Sequence, residues 1–207
     1  MHDGESDQVR RLRSQIAVLE ELLLVQERTV PEQAGRLEQL IGDSQRTKRH
    51  LAAQYDSARA LAESTTVAES MPRILRAICH ALNWEHGCVW SIDREAQVLR
   101  CVDTWHAPRA ESAEFEKTTR TSAFPSGIGL PGRVWASGQA AWIRNVTQDA
   151  NFPRAVAASI AGFHSAFGFP ILSGGEVHGV LEFFSTDVGQ PDEVLLQVLT
   201  GIGSQIG

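Results

Sequence analysis

The first third of the chain carries an apolar seven-residue repeat and neither Trp nor Phe. Residues 1–69 contain no Trp or Phe, whereas the rest of the chain holds all five Trp and all eight Phe. Two series counted in sevens, the first mostly apolar and the second half apolar, are Val9, Ile16, Leu23, Val30, Leu37, Ser44, Leu51 and Ala58, and Leu12, Leu19, Gln26, Gln33, Leu40, Thr47, Gln54 and Leu61. An average apolar spacing of 3.5 residues keeps one seam facing a partner helix. We therefore predict a disordered tail over residues 1–8 and a coiled-coil dimerisation and signalling helix over residues 9–63.

Pro31 lies in the middle of this repeat. Proline cannot donate a backbone hydrogen bond and crowds the preceding turn, so we expect a kink or a helix restart near it. Thr29 and Glu32 could supply a capping box for the restart. The register continues across Pro31, which favours one long parallel helix, although two helices folded back as a hairpin remain the alternative. In either case an exposed apolar stripe predicts a homodimer.

Composition excludes several classes of partner. The formal net charge is −6, and without a dominant basic face we expect no nucleic acid partner. No uninterrupted apolar stretch approaches the ~18 residues of a membrane span, and the N-terminus is acidic rather than signal-like, so we expect no membrane partner. The thiols Cys79, Cys88 and Cys101 are odd in number and lack disulfide-framework spacing, which is typical of a reducing cytoplasm.

From residue 64 onward the pattern predicts an α+β domain. Ser70, followed by Pro72, is a candidate helix cap, and the helix after it would turn Ile74, Leu75, Ile78 and Leu82 to one face. Strands are predicted over residues 88–92, 98–105, 140–143, 165–172 and 177–184, with short helices over 133–137 and 155–161 and a closing helix over 192–206. Residues 110–122 are polar and could form a short helix or a mobile loop. Strands in hairpin pairs with helices at both ends indicate a central antiparallel sheet of five to six strands.

Gly127, Gly129 and Gly132 form a G-x-G-x-x-G motif, but the context does not fit a dinucleotide site. The preceding residues are polar and include Pro125, so no buried strand leads into the motif. We interpret the glycines as a tight turn before a short helix that ends at Gly138.

Several motifs in order resemble the GAF domain family. They are the run 127–138, the segment Ala141-Trp-Ile, the segment Asn145-Val-Thr-Gln-Asp149, the strand Phe167-Gly-Phe-Pro-Ile171 and the run Gly179-Val-Leu-Glu-Phe-Phe184. The resemblance covers residues 64–207 and is strongest to GAF modules of bacterial sensor histidine kinases and diguanylate cyclases. It implies helices from the first and last segments on one face of the sheet and a small-molecule pocket over the other. Because the chain stops at Gly207 inside an expected helix, we expect it to be part of a longer two-component-type sensor with a C-terminal output domain such as a kinase or cyclase.

The cofactor chemistries known in the family find little support among these residues. The Asn-Lys-x-Phe-Asp-Glu constellation of cyclic-nucleotide-binding GAF domains is not found. Cys79-His80 resembles a bilin-attachment pair but lies on the first helix, well before the attachment segment. His164 precedes the Phe-Pro strand as a haem ligand would, yet the aligned position is Ile160, so a strand-end role is preferred. We therefore expect neither haem nor bilin, and the sequence requires no cofactor.

Enzymatic and metal chemistry are also weakly supported. Cys88 and Cys101 lie on neighbouring predicted strands, as a thiol redox enzyme that reduces methionine sulfoxide would need, but both lie among apolar residues and suggest inert buried thiols. His86 and Cys88 could point the same way, but two ligands do not make a metal site. We expect no catalytic activity in this chain and no metal.

Glu182 is the acidic residue of greatest interest, because strand alternation places Val180, Glu182 and Phe184 on one face, and Leu181 and Phe183 on the other. A buried carboxylate needs a partner, for which Arg133 or Arg144 are candidates. Candidate ligand-binding residues near the expected pocket mouth are Trp105, Phe115, Trp142, Phe152, His164 and Glu182. The sequence thus predicts a sensory GAF module that detects a small ligand or redox state and signals through a coiled coil; the alternatives are a dimerisation scaffold and a thiol redox enzyme.

Overall fold

A computed structural model describes residues 3–108 and 112–207. It begins with helix α1 (Asp3–Ala62), which contains Pro31 in its interior and does not end there. The helix therefore includes residues 3–8, where the sequence predicted a tail, and it is one helix rather than a hairpin. Among the described residues, we find no helix with both the length and the apolar character needed to cross a bilayer.

Residues 1–47 form one compact unit and residues 48–207 a second. In the first unit, the described Leu and Val residues of the predicted seam are each more than half exposed: Leu12, Leu19, Leu23, Val30, Leu37 and Leu40. A stripe of this kind is the expected face for a partner helix.

In the second unit, the last turns of α1 pack against the domain through a different stripe. His50, Ala53, Ser57 and Ala60 are buried, at the spacing of one helical face. The predicted seam residue Leu51, one position further along, remains 59% exposed. The small side chains of Ala53, Ser57 and Ala60 let α1 lie close to the domain. Of the predicted seam in this unit, Leu51 stays exposed, whereas Leu61 at the end of α1 packs partly against the domain core.

Helix α2 (Val67–Leu82) begins four residues earlier than the sequence predicted. Thr66 is its N-cap: its Oγ1 accepts from the Glu69 backbone N–H at 3.3 Å, and the Glu69 carboxylate accepts from the Thr65 N–H at 3.1 Å. This is a variant of the capping box, in which the Glu69 carboxylate accepts from the residue before the N-cap rather than from the N-cap itself. Ser70, the predicted cap, lies inside the helix and donates its hydroxyl hydrogen to the Val67 carbonyl.

The remaining elements form a six-stranded antiparallel sheet with helices, which confirms the α+β fold class. The strands are β1 (His86–Asp93), β2 (Val98–His106), β3 (Ala123–Phe124), β4 (Ala141–Ile143), β5 (Ser165–Ser173) and β6 (Glu176–Ser185). The helices are α3 (Ala113–Thr121), α4 (Gly129–Ser137), α5 (Ala155–Ile160) and α6 (Glu193–Ile206). The strand order is β3-β2-β1-β6-β5-β4, so β1, β6 and β5 form the centre.

Two clusters of buried side chains cover the two faces of the sheet. On the helical face, Leu181 and Phe183 of β6 pack with the apolar stripes of α2 and α6, including all four residues that the sequence placed on one face of α2. On the opposite face, Val180 and Phe184 pack with residues of α3, α4 and α5. The alternation predicted for β6 is therefore confirmed.

Candidate functional site

A buried ion pair lies at the centre of the face opposite α2 and α6. Glu182 of β6 is fully buried, and Arg154, the residue before α5, is 2% exposed. Nη2 of Arg154 lies 2.6 Å from Oε1 and 2.7 Å from Oε2 of Glu182. Nη1 donates to the Thr119 hydroxyl at 3.0 Å, and the Trp90 indole Nε1 donates to Glu182 Oε2 at 3.0 Å. Burial of both charges is tolerated because each is paired and hydrogen-bonded.

Aromatic rings enclose the Arg154 guanidinium. Its Cζ lies 5.1 to 5.3 Å from the centroids of five rings, which we call the Arg154 box: Trp90, Phe115, Phe124, Phe152 and Phe184. Strands β1, β3 and β6, helix α3 and the loop before α5 each supply one ring. A cation within about 6 Å of a ring centroid is attracted by the negative face of the ring. The box therefore binds a positive charge through its rings and through one carboxylate.

His86 extends the polar interior beside the box. Its side chain is fully buried and contacts the rings of Phe115 and Phe184, with centroids 5.3 and 6.1 Å away. Burial, and secondarily the nearby Arg154 charge, lower the pKa of His86 from 6.5 to about 3. The imidazole is therefore neutral near pH 7. Within the described part of the chain, neither ring nitrogen has a hydrogen-bond partner.

The predicted partners of Glu182 were wrong. Arg133 instead pairs with Asp149, with its Nη1 and Nη2 at 3.1 and 3.2 Å from the two carboxylate oxygens. Arg144 contributes its carbonyl, which accepts from the Ser165 hydroxyl at 3.2 Å. The sequence did not predict Arg154 as the partner. A single charged residue between Pro153 and a run of small apolar residues was a usable signal for a buried, paired side chain.

Of the six candidate ligand residues, Phe115, Phe152 and Glu182 come together at the Arg154 box. Trp105 and Trp142 lie on the helical face, where Trp142 stacks on Phe167 at 5.6 Å and Trp105 contacts the His80 ring at 5.4 Å. His164 precedes β5 and is half-buried, outside the box.

A bulge explains the position of Trp105. Val89 of β1 pairs with Asp103 of β2, but the next residue, Trp90, pairs with Cys101, which leaves Val102 as an extra residue. An inserted residue reverses which face the following side chains occupy. Strict alternation from Leu99 would therefore place Trp105 on the wrong face.

The glycine motif builds a turn, as the sequence indicated. Gly127 and Gly129 have φ values of +85° and +66°, which favour glycine, and a Cβ on Gly132 would collide with the Pro125 carbonyl. The Asn151 side chain joins this turn to the segment before α5: its Oδ1 accepts from the Gly129 N–H at 3.0 Å and its Nδ2 donates to the Gly127 carbonyl at 2.9 Å. Helix α4 starts at Gly129 rather than at the predicted residue 133 and ends at Gly138, whose φ is +65°.

The three thiols are free, with Cys79 and Cys88 buried and Cys101 half-buried. Burial, followed by the Glu182 charge, raises the pKa of Cys88 well above its usual value, and burial raises the pKa of Cys101 to about 11. Reactive thiols instead have lowered pKa values. Among the residues that the structure describes, no group of three or more His, Cys, Asp or Glu side chains could hold a metal ion.

Comparison with known proteins agrees with this architecture. Residues 64–207 match the family model described as GAF domain, and the chain therefore belongs to the GAF domain family.

The individual relatives are distant. The chain is 33% identical over 84 residues to the truncated basic helix-loop-helix protein A of Pisum sativum, a match that covers 40% of this chain and only 22% of that protein. Among solved structures, the A. aeolicus nlh2 GAF domain in an inactive state superposes with a TM-score of 0.60 at 23% identity, covering 77% of this chain and 93% of that one. The free methionine-R-sulfoxide reductase of Neisseria meningitidis, in complex with its substrate, gives a TM-score of 0.60 at 18% identity and covers 75% and 83% of the two chains. Similarity at these identities concerns the fold alone.

Proposed function

We propose that this chain is a sensory module of a bacterial, cytoplasmic signal-transduction protein. Its GAF domain senses a small molecule, and helix α1 joins two copies in a coiled coil that transmits the state of the domain. The output activity, such as that of a kinase or cyclase in a two-component-type system, belongs to a domain outside this chain.

The observation that carries the proposal is the division of α1 into two stripes. The domain contacts α1 through small residues such as Ala53 and Ser57, whereas the heptad residue Leu51 in the same turns stays exposed. An exposed stripe of Leu and Val in water is stabilised by burial against a second helix, at roughly 25 cal/mol per Å² of apolar area. As far as Leu51, the heptad stripe is therefore available to a second copy of the chain without disturbing the contacts between α1 and the domain; Leu61, the last member, packs partly against the domain core.

A short chain of contacts supports transmission from the domain to α1. Asp192 caps α6 by accepting from the Leu195 N–H through Oδ1, and its Oδ2 lies 3.1 Å from Nε2 of His50 on α1. Helix α6 packs on the helical face of the sheet beside Leu181 and Phe183, the neighbours of Glu182 in β6. A change at the Arg154 box thus reaches α6 through one strand and α1 through one side chain.

A scaffold without a ligand is the second candidate, and the filled Arg154 box favours it. A thermal-shift screen separates the two functions, because a ligand selective for the folded domain raises the melting temperature. A thiol redox enzyme is disfavoured by the raised pKa values of Cys88 and Cys101.

Sedimentation equilibrium tests the dimer. We expect the wild-type chain to dimerise at micromolar concentration, and the variant Leu37→Glu/Leu40→Glu to dimerise at least tenfold more weakly, because two charges would enter the apolar seam. The matched control Gln39→Glu/Gln45→Glu adds the same charge away from the seam and should behave as wild type. A wild-type monomer at this concentration would refute the transmission scheme.

A further inference from the structure

We propose that the Arg154 box is a binding site for a small organic cation of the guanidinium or alkylammonium class, and that Arg154 fills it as an intramolecular occupant. The inference rests on the proposed sensory role and gives that role a ligand chemistry. In this structure the site is closed by the chain itself.

The lining of the box is complementary to a cation. Five ring faces surround the position of the guanidinium at 5.1 to 5.3 Å, and the Glu182 carboxylate accepts two hydrogen bonds from it. Proteins use aromatic cages of this kind to recognise alkylammonium groups, and a carboxylate adds charge pairing. The Trp90 indole N–H also donates to Oε2 of Glu182, at 3.0 Å, and this bond does not depend on which cation occupies the box.

Charge balance favours a cation over an anion as the exchanging ligand. The box buries one positive and one negative side chain, Arg154 and Glu182. An anion added beside the pair would leave one uncompensated negative charge in a space of low polarity, which is costly. A cation that replaces the Arg154 guanidinium preserves both the pairing of Glu182 and the ring contacts.

The attachment of Arg154 permits exchange. It stands at the N-terminal end of α5, a helix of six residues without a side-chain N-cap, of which only Ala157 and Ala158 are buried. Val156 and Ile160 of the same helix are 77% and 69% exposed. The buried rings of Phe152 and Phe163, on either side of α5, keep the segment on the sheet, so the Arg154 side chain can leave the box without release of the helix.

His86 is an independent sign of a ligand beside the box. In the described part of the chain, its two ring nitrogens and Nε of Arg154 are buried without a hydrogen-bond partner. Unsatisfied polar groups of this kind cost free energy and are uncommon in folded proteins. Because the imidazole is neutral, it can hydrogen-bond a polar ligand without repelling a cation.

The test uses the variant Arg154→Ala and N-ethylguanidinium, whose heavy atoms match the arginine side chain beyond Cβ. We expect this cation to raise the melting temperature of the variant saturably with a millimolar Kd, whereas neutral N-ethylurea, of the same shape, has no such effect. Adding Glu182→Gln, which keeps the shape and removes the charge, should weaken binding at least tenfold. The wild-type chain should bind saturably but at least tenfold more weakly than Arg154→Ala, because its own side chain competes at high effective concentration.

Three results would overturn the inference: equal stabilisation by the urea, no stabilisation of a folded Arg154→Ala, or wild-type binding that is absent or as tight as that of the variant. If Arg154→Ala does not fold alone, it is refolded with each compound, and near-UV circular dichroism must recover with the guanidinium only. All of these measurements concern the box and not the dimer. A monomeric wild type would therefore refute the coiled-coil scheme without affecting this result.

Discussion

The two faces of the sheet are built from the same strands but bury different chemistry. Beneath α2 and α6 the cluster consists of hydrophobic side chains such as Ile78, Leu181 and Leu199. On the opposite face, the alternate residues of β1 and β6 bring His86 and Glu182 into an aromatic interior together with Arg154. The first face depends on shape and apolar area, whereas the second adds a few polar pairings to an apolar, largely aromatic cluster.

This difference means that the two faces should respond differently to substitutions and to pH. Apolar contacts are non-directional and change little with pH or with small solutes. A buried ion pair contributes little net stability, yet loss of one partner is very costly. The box face is therefore the place where a small chemical change is expected to have a large effect on stability.

The largest expected effect comes from breaking the pair. Glu182→Ala should lower the free energy of unfolding by about 3–5 kcal/mol, because Arg154 would remain buried without a counter-charge. The double variant Glu182→Leu/Arg154→Met should recover most of this loss, because it replaces both charges with apolar groups of similar volume. Urea denaturation followed by circular dichroism measures both, and equal destabilisation of the two variants would contradict this account of the box.

The helical face should respond as an ordinary core. Ile78→Ala removes a fully buried side chain and should cost about 3 kcal/mol through lost burial and an unfilled cavity. Val194→Ala, at a position 60% exposed on α6, is the control and should change stability by less than about 0.5 kcal/mol. The same urea titrations report both, and a cost for Ile78→Ala that depended strongly on pH would contradict the division between the faces.

The smallest effect is the pH dependence caused by His86. The pKa of His86 is lowered in the folded chain from 6.5 to about 3, so the unfolded chain binds the proton more tightly. Stability from this group is fully present above pH 6.5 and is lost as the pH falls toward 3, at about 1.4 kcal/mol per pH unit, or about 2 kcal/mol between pH 6.5 and pH 5.

Removal of the imidazole should abolish this contribution. Urea titrations at pH 6.5 and pH 5 measure the loss of unfolding free energy between these two pH values. We expect this loss to be smaller for His86→Phe than for wild type by about 2 kcal/mol. His178→Gln removes an exposed imidazole and should keep the wild-type loss. An unchanged pH dependence in His86→Phe would mean that His86 is not buried in its neutral form.

Local patterns in the sequence predicted most of the fold. Residues close to one another along the chain determine three features that were predicted: the alternation in β6, the apolar face of α2 and the end of α4 at Gly138. The cap of α2 was misplaced because the sequence carries two helix-start signals, Ser70 with Pro72 and Thr66 with Glu69. The helix begins at the second of these, because Thr66 and Glu69 together form two hydrogen bonds to the backbone.

The site was predicted only in part, for a physical reason. Glu182 was recognised because alternation turns it inward, but its partner Arg154 is 28 residues away, at the end of an irregular loop. The path of such a loop leaves no periodic signal. The bulge in β2 likewise depends on pairing between two strands, so the face occupied by Trp105 could not be read from β2 alone.

Gly203 determines how closely the last helix approaches the sheet. A Cβ at Gly203 would collide with the carbonyl of Pro170, so α6 touches the backbone of β5 with no side chain between them. Close-packed interiors have low compressibility and transmit strain, so this contact leaves no room for an added side chain. A methyl group at this position, as in Gly203→Ala, would force α6 away from β5 and open the seam between the last helix and the sheet.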